Sequence, residues 1–340
     1  MFVPPPIPTL EDVARVAGVS TATVSRCLNG KGMVSAKSRD KVMQAVEALG
    51  YTPNFGARAM AAKRTHTIGA VIPTMENAIF ARGLQAFQET LHGHGYNLLL
   101  SSSAYRPELE AEQIRALIAR GADGLLLIGY ARDAAVYDML SRRGIPTMLA
   151  WASLPDSPHP SVGFDNRGSM RHLADAVLGL GHRRMAVISG IVAGNDRAAC
   201  RLAGIRDSWT AHGFDLADLA VIETPYGVEN GAAALAQHMQ AATPPSVVMC
   251  GNDVLAAGAI ARARDMGLDL PGDLSITGFD DIELARLVTP ALTTVHVPHR
   301  EMGRTAAREL VNLIEGRSGQ TRTELAATVV MRSSLGPPAS

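Results

Sequence analysis

Cysteine is scarce: Cys27, Cys200 and Cys250 are odd in number, scattered and far from any C-x-x-C spacing. That argues against a disulfide framework and a zinc ribbon, and it fits a reducing cytoplasm. No run of 18 apolar residues occurs, so no membrane span is expected. The opening MFVPPPIPTL lacks a basic n-region, and Pro4, Pro5 and Pro6 would break an apolar one, so no signal peptide is expected. The turn after the first strand signal of the larger part, PTMENAIF, lacks the G-x-G-x-x-G that lets backbone approach a pyrophosphate. Neither G-x-x-x-x-G-K-[ST] nor a G-x-S-x-G elbow is present, which argues against an enzyme and a nucleotide cofactor. His296-x-x-His299 has a metal-like spacing, but Pro298 between them disfavours a regular helix, so both read as surface histidines and no metal is expected. Net charge is also missing, since 32 basic residues cancel 32 acidic ones.

What is present is unevenly distributed. At 340 residues the chain has material for two or three domains, and 47% hydrophobic with 19% charged residues describes a soluble globular protein. Residues 1–64 hold nine Lys or Arg against four Asp or Glu, whereas the remainder holds 23 against 28. A basic head on an acidic body places any phosphate-binding surface in the head.

The head contains TLEDVARVAGVSTATVSRCLN, residues 9–29. Thr9 can cap a helix with Asp12 at the capping-box position, and Leu10, Val13, Ala14 and Ala17 fall on one face. Gly18 supplies a sharp exit and Ser20 caps a second helix, with Val24 and Leu28 inward and Thr21, Ala22, Ser25 and Arg26 outward. By pattern alone this also fits two helices of a small bundle. The small residues Thr21 and Ala22, with Arg26 one turn later, favour a helix-turn-helix whose second helix enters a DNA major groove. Asn29-Gly30 closes the motif, and Ser35 caps a third helix with Val42, Val46 and Leu49 inward. Residues 51–65 follow, with Asn54 as cap of a short alanine-rich helix over 55–62, which in two turns cannot recover its nucleation cost alone.

From Thr67 the texture changes. Apolar runs at 67–73, 97–102, 124–129 and 146–152 alternate with helical patterns near 78–95, 107–120 and 133–143. A second series of strand signals, at 161–165, 185–190, 219–224, 246–251 and 274–280, alternates with helices near 167–180, 197–212, 229–241 and 254–266. Continuous apolar strands between helices mean parallel sheets covered on both faces. The expectation is an α/β chain: an all-α head over 9–53, a linker over 54–65, and two doubly wound parallel-sheet subdomains over 66–335. Ligands of such sheets bind beyond the carboxyl ends of the strands.

Several stretches together resemble the lac and purine repressor (LacI/GalR) family: TLEDVARVAGVSTATVSRCLNG, VSAKSRDKVMQAVEALGYTPNFGARAM, DNRG, LGHRRMAVISG, CRLAG, GND, LSITGFDD and PALTTV. The resemblance covers essentially the whole chain. It implies a bacterial transcription regulator, a repressor by preference, with a periplasmic-binding-protein-like core whose N-subdomain spans about 66–164 and 295–323 and C-subdomain about 165–294 and 324–335. Its partners would be a pseudo-palindromic double-stranded operator, a small-molecule effector, and a second copy in a homodimer, because the chain ends at Leu335-Gly-Pro-Pro-Ala-Ser without a leucine-heptad tail. Thr21, Ala22, Ser25 and Arg26 would meet base edges, with Arg26 able to pair bidentately with guanine. Thr9, Ser20, Asn29, Ser35 and Asn54 would lie near phosphates. Ala57, Arg58 and Met60 would belong to a minor-groove hinge, Met60 standing where relatives place a wedging leucine.

For the effector, the resemblance implies Arg201, Asn252 and Asp280 foremost, then Asp165, Asn77, Phe80, Trp151 and Tyr226. Gly168 stands three residues after Asp165 rather than four, which alters that loop. The segment AYRPELEAEQ, residues 104–113, is similar to the branch containing gluconate repressors, pointing to a sugar or sugar acid. The alternative, a sugar-binding transport protein with the same core, would need a signal peptide and has no use for residues 9–62.

Overall fold

The computed structural model describes residues 8–29, 34–52, 64–76, 78–154 and 157–339. The chain divides into two units, Met1–Thr65 and His66–Ser340.

In the first unit three helices form: α1 (Leu10–Ala17), α2 (Thr21–Asn29) and α3 (Ala36–Leu49). Thr9 and Asp12 make a reciprocal capping box, and Gly18 ends α1 at φ 66°, a left-handed conformation that an L side chain resists. Val13, Val24 and Val42 are fully buried, with Ala14, Ala17 and Ala45 around them. Tyr51 closes this core too, although the helical pattern of inward residues ends at Leu49. Leu10, Leu28, Val46 and Leu49 pack on the outside of the cluster, half-buried.

The second unit has two lobes. In the first, β1 (Thr67–Ile72), β2 (Asn97–Ser102), β3 (Gly124–Ile128), β4 (Thr147–Ala150), β5 (Ser161–Gly163) and β11 (Arg322–Glu324) form a six-stranded sheet in the order β11-β5-β4-β3-β1-β2. All its pairings are parallel. Ser161–Gly163 opens the second series of strand signals in sequence, yet it joins this first sheet, with Ala150 of β4 opposite Val162. Helices α4 (Ala78–Gly93), α5 (Pro107–Ala119) and α6 (Ala134–Arg142) connect the strands.

The second lobe is a four-stranded parallel sheet, β7-β6-β8-β9, made of β6 (Met185–Gly190), β7 (Ala220–Thr224), β8 (Val247–Cys250) and β9 (Ser275–Thr277). Helices α7 (Asn166–Gly179), α8 (Asp196–Ala211), α9 (Val228–His238), α10 (Asp253–Asp265) and the single turn α11 (Leu284–Leu287) belong to it. The chain then returns: β10 (Thr294–His296) pairs antiparallel with β12 (Thr328–Val330), and α12 (His299–Glu315) packs on α4 in the first lobe. Ser334 ends the path on the second lobe, its carbonyl accepting from Ile276 N at 2.8 Å.

Strands with both faces covered need apolar side chains throughout, and β1, β3, β6 and β8 are buried along their whole length. One continuous apolar cluster, including Phe87, Trp151, Phe164, Trp209 and Phe279, runs through both lobes. No described helix is long and apolar enough to cross a membrane. In both sheets the strand order reverses beside an inner strand, β1 in one and β6 in the other, which opens a crevice at the carboxyl ends.

Candidate functional site

In the head, Thr21, Ala22 and Arg26 are exposed along α2 and Ser25 is half-buried. Arg26 folds back along its own helix, Nε donating to the Ala22 carbonyl at 3.2 Å, a contact a base edge could replace. The three hydroxyls expected near phosphates cap helices: Thr9 Oγ1 accepts from Asp12 N, Ser20 Oγ from Thr23 N, and Ser35 Oγ from Ser38 N, at 3.3, 3.2 and 3.2 Å. Each therefore sits at a helix N-terminus, where unpaired N–H groups favour an anion. Asn29 is the last residue of α2. Asn54, Ala57, Arg58, Met60 and Asn77 lie outside the described residues.

In the second unit, the loops after the strands converge on an inner chamber with room for only about 20 Å³, lined by Phe80, Tyr105, Trp151, Asn166, Arg201 and Asp280 among others. Tyr105, Asn195 and Tyr226 also line a wider outer cleft of about 1200 Å³ whose walls include Met75, Ile191, Val228 and Leu284. The sequence-derived residues Arg201, Asp280, Phe80, Trp151 and Tyr226 are thus brought together.

Asp165 is not. It is exposed and caps α7, Oδ1 accepting from Gly168 N at 2.9 Å, and that use of its carboxylate turns it away from the chamber. Its neighbour Asn166 faces inward instead, Nδ2 donating to the Trp151 carbonyl at 3.0 Å. Asn252 is fully buried and caps α10, Oδ1 accepting from Leu255 N at 2.9 Å, and it is not among the lining residues.

The charged groups are arranged tightly. Arg201 Nη2 donates to the Tyr226 hydroxyl at 3.0 Å and Nη1 to Asn166 Oδ1 at 3.4 Å, with its guanidinium 4.8 Å from the centroid of the Phe279 ring. One turn earlier on α8, Arg197 Nη1 donates to Asp196 Oδ1 at 2.8 Å. The Asp196 carboxylate also accepts from Tyr130 N and from Ala131 N, so the loop after β3 in the first lobe is tied to the start of α8 in the second. Burial pushes the Asp280 carboxyl up to about 7, against the pull of Arg201 and Arg197. Arg201 Nε, Asp280 Oδ2 and Asn252 Nδ2 are buried with no hydrogen-bond partner among the described residues.

The backbone is strained at the same place. Ala104, Tyr105, Trp151, Asp280 and Asp281 have φ of 50°, 57°, 63°, 106° and 51°, in the left-handed region that side chains resist. Such residues cost roughly 1–3 kcal/mol each and cluster where a geometry is functionally constrained. Two glycines make the packing possible: a methyl on Gly83 would overlap the Trp151 ring, and one on Gly190 the Tyr226 ring.

His299 corrects the surface reading of the histidine pair. His296 is exposed beside Asp281, but His299 is buried between the lobes. Its Nδ1 accepts from Trp151 Nε1 and its Nε2 donates to the Asp280 carbonyl, each at 3.2 Å, which assigns the neutral Nε2–H tautomer. Burial lowers its pKa to about 4.

Tyr105, Asn166, Asn195 and Arg197 line the chamber without having been singled out in the sequence. Arg197 stands four residues before Arg201, one helical turn, and Asn195 caps the same helix, accepting from Ala198 N at 3.3 Å. Both signals were readable. Tyr105 carries none, since a left-handed loop residue has no pattern.

A capped helix-turn-helix head and a two-lobed core with a polar chamber at its strand ends define a ligand-responsive DNA-binding regulator. Two family models match: the bacterial regulatory proteins of the lacI family over residues 9–54 and a periplasmic binding protein-like domain over 174–335. The HTH-type transcriptional repressor PurR of Erwinia tasmaniensis is 32% identical over 330 residues, 96% of each chain. Catabolite control protein A of Priestia megaterium is 31% identical over 89% of this chain and 91% of its own. The ribose operon repressor of Haemophilus influenzae is 31% identical over 96% of this chain and 98% of its own. A lacI-family regulator from Silicibacter pomeroyi superposes with a TM-score of 0.89 at 26% identity, covering 97% of this chain and 99% of that one. The lac repressor dimer bound to operator and the anti-inducer ONPF gives 0.86 at 27%, covering 96% and 98%. The chain belongs to the lacI family of bacterial regulatory proteins, DNA-binding transcriptional regulators controlled by a small-molecule effector.

Proposed function

We propose that the protein is a homodimeric repressor of a pseudo-palindromic operator, and that a sugar or sugar acid in the cleft controls its hold on DNA. One observation carries the effector reading: Arg201 Nε and Asp280 Oδ2 are buried, unpartnered polar atoms of residues that line the same chamber, among loops held in strained backbone. A buried donor and acceptor left unmade cost free energy that a polyhydroxylated ligand returns. On this reading Arg201, Asp280, Asn166, Asn195 and Tyr226 bind hydroxyls or a carboxylate, while Phe80 and Trp151, ring centroids 5.6 Å apart, form an apolar wall. In the head, Thr21, Ala22 and Arg26 read bases and the caps at Thr9, Ser20 and Ser35 meet phosphates. Ligand binding alters lobe closure, and the head feels it through residues 54–65, a coupling of two sites through a two-state element.

The DNA half is tested by salt. With several phosphate contacts per head, operator affinity measured by fluorescence anisotropy is expected to fall by roughly 10³-fold or more between 50 and 200 mM salt. A response flatter than tenfold sinks it. The transport-protein alternative predicts no operator binding at any salt.

A further inference from the structure

The two spaces of the cleft differ in kind. The inner chamber, at about 20 Å³, has room for one water-sized group and is ringed largely by polar side chains. The outer cleft, at about 1200 Å³, has the volume for a whole ligand, and its walls are mostly apolar. Tyr105, Asn195 and Tyr226 line both, so the two spaces adjoin. Three large side chains of the outer walls stand in water: Met75 after β1 is 59% exposed, Ile191 after β6 45%, and Val228 at the start of α9 41%. Single exposed apolar residues are ordinary, but three from two lobes lining one cleft make a surface that a ligand covers. The charged side chains of the outer cleft are Glu76, Arg82 and Glu283. Arg82 of α4 in the first lobe pairs with Glu283 of the second, so the cleft keeps no uncommitted cation for an anionic body. A body clad in hydroxyls would set them against methionine, isoleucine and valine, where each unpaired hydroxyl costs free energy.

We propose that the effector is amphipathic: a glycoside whose sugar end meets the polar chamber and whose uncharged apolar aglycone lies in the outer cleft against Met75, Ile191 and Val228. The proposal rests on the cleft being the effector site, and it narrows the ligand from a free sugar or sugar acid to one that carries an apolar body. The sugar end needs donors and acceptors, and Tyr105, Asn195 and Tyr226 offer them where the two spaces adjoin. The aglycone needs no partner of its own, because release of water from the three apolar side chains drives its binding. Met75 belongs to the first lobe, and Ile191 and Val228 to the second, so an aglycone covered by all three binds better when the lobes approach. A free sugar, confined to the polar end, lacks that differential contact and shifts the lobes less.

The test is calorimetric titration of the full chain with D-glucose, D-galactose, D-mannose and D-xylose, each beside its phenyl α- and β-glycosides, and with D-gluconate and D-galacturonate for the acids. At least one phenyl glycoside is expected to bind about tenfold tighter than its parent sugar or more, the effect of burying two methylene-sized groups. Its heat-capacity change should also be more negative than the parent's, the mark of apolar burial. In Ile191→Ser and Met75→Ser the ratio of glycoside to parent affinity should fall by about threefold or more. The ratio is the readout because damage to the fold would weaken both ligands alike. A ratio that both variants leave unchanged would place the aglycone elsewhere and overturn the proposal. A free sugar or acid that binds as tightly as every glycoside would overturn it while leaving the effector reading intact. No binding by any of the compounds at about 10 mM, weaker than any specific site, would remove both.

Discussion

In the head, the side chains assigned to DNA stand in water on one short helix, and a core of valines, alanines and Tyr51 only has to keep that helix formed. In the larger unit, Arg201, Asp280 and Asn166 are buried and supplied by three different loops and helices, and five left-handed residues hold the surroundings. The difference follows from the ligands. A polyanion brings long-range attraction and releases counterions, so exposed cations at moderate precision suffice. A small ligand offers few atoms, so the protein must desolvate and orient its own groups beforehand, at a cost in its own stability.

That cost should be visible as a pH dependence confined to the core. The folded pKa of Asp280 is raised to about 7 by burial, above the unfolded value of about 3.9. The folded state then binds the proton more tightly, so its contribution to stability is complete below about pH 4 and is lost as pH rises through 7. The span is worth roughly 4 kcal/mol at most. Asp253, raised in the same direction by burial, adds to it. Asp12 in the head is the opposite case: hydrogen bonds from Thr9 and Arg15 hold its pKa near 2, so what it contributes is lost only as pH falls through that value. Burial lowers the pKa of His299, His182 and His238, whose contributions run the other way and are complete above about pH 6.5, so the Asp280 part is read as a difference. Between pH 5.5 and 8 the urea midpoint of the wild-type core minus that of Asp280→Asn should decline, while the head's midpoint stays level. A difference that is flat or grows toward pH 8 would break the contrast.

The second prediction reverses the roles. Arg26→Ala should weaken operator binding by about 10- to 100-fold, the worth of one bidentate base contact, and relax selectivity at a single base pair. Neither unit's melting temperature should move, because Arg26 is exposed and its contact is to its own helix. A drop in head stability would mean that Arg26 supports the fold and that the exposed surface is less separable from its core than the structure implies.

Legibility divides along the same line. The head's helices, caps and outward face follow from residues three and four apart, so Thr9, Ser20, Ser35 and Gly18 were readable one by one. Tyr51 was the exception, because packing across the bundle, and not local pattern, buries it. The alternation of strands and helices in the core was equally clear, but strand pattern alone did not give sheet membership. By pattern β5 reads like the strands after it, whereas the subdomain bound near 164 implied by the resemblance leaves it with the strands before it, and it pairs with β4. For the chamber, Arg201 and Asp280 come from the resemblance, and Arg197 and Asn195 lay within a turn of them. His299 was out of reach: only the folded chain brings the Trp151 indole nitrogen 3.2 Å from one of its ring nitrogens and the Asp280 carbonyl 3.2 Å from the other. Asp165 caps a helix while its neighbour Asn166 turns inward, and sequence position alone cannot say which of two adjacent side chains does which.

The smallest expected effect sharpens the head's side of the comparison. Thr9 Oγ1 accepts from Asp12 N, and the Asp12 carboxylate accepts in return from Thr9 N at 3.0 Å and from Arg15 at 2.6 Å. Thr9→Ala deletes one arm of the box and should cost about 1 kcal/mol of head stability, the usual worth of an N-cap. Thr9→Ser, which keeps the hydroxyl, should restore it. Both variants should leave the core's melting temperature where it was. If Thr9 also meets a phosphate, operator affinity of the alanine variant will fall at low temperature too, where the head is fully folded, and the serine variant will recover it. If Thr9 is only a cap, affinity will match wild type in the cold and drop only as the head begins to melt. The temperature dependence of one exposed hydroxyl therefore separates positioning on DNA from stability of the fold.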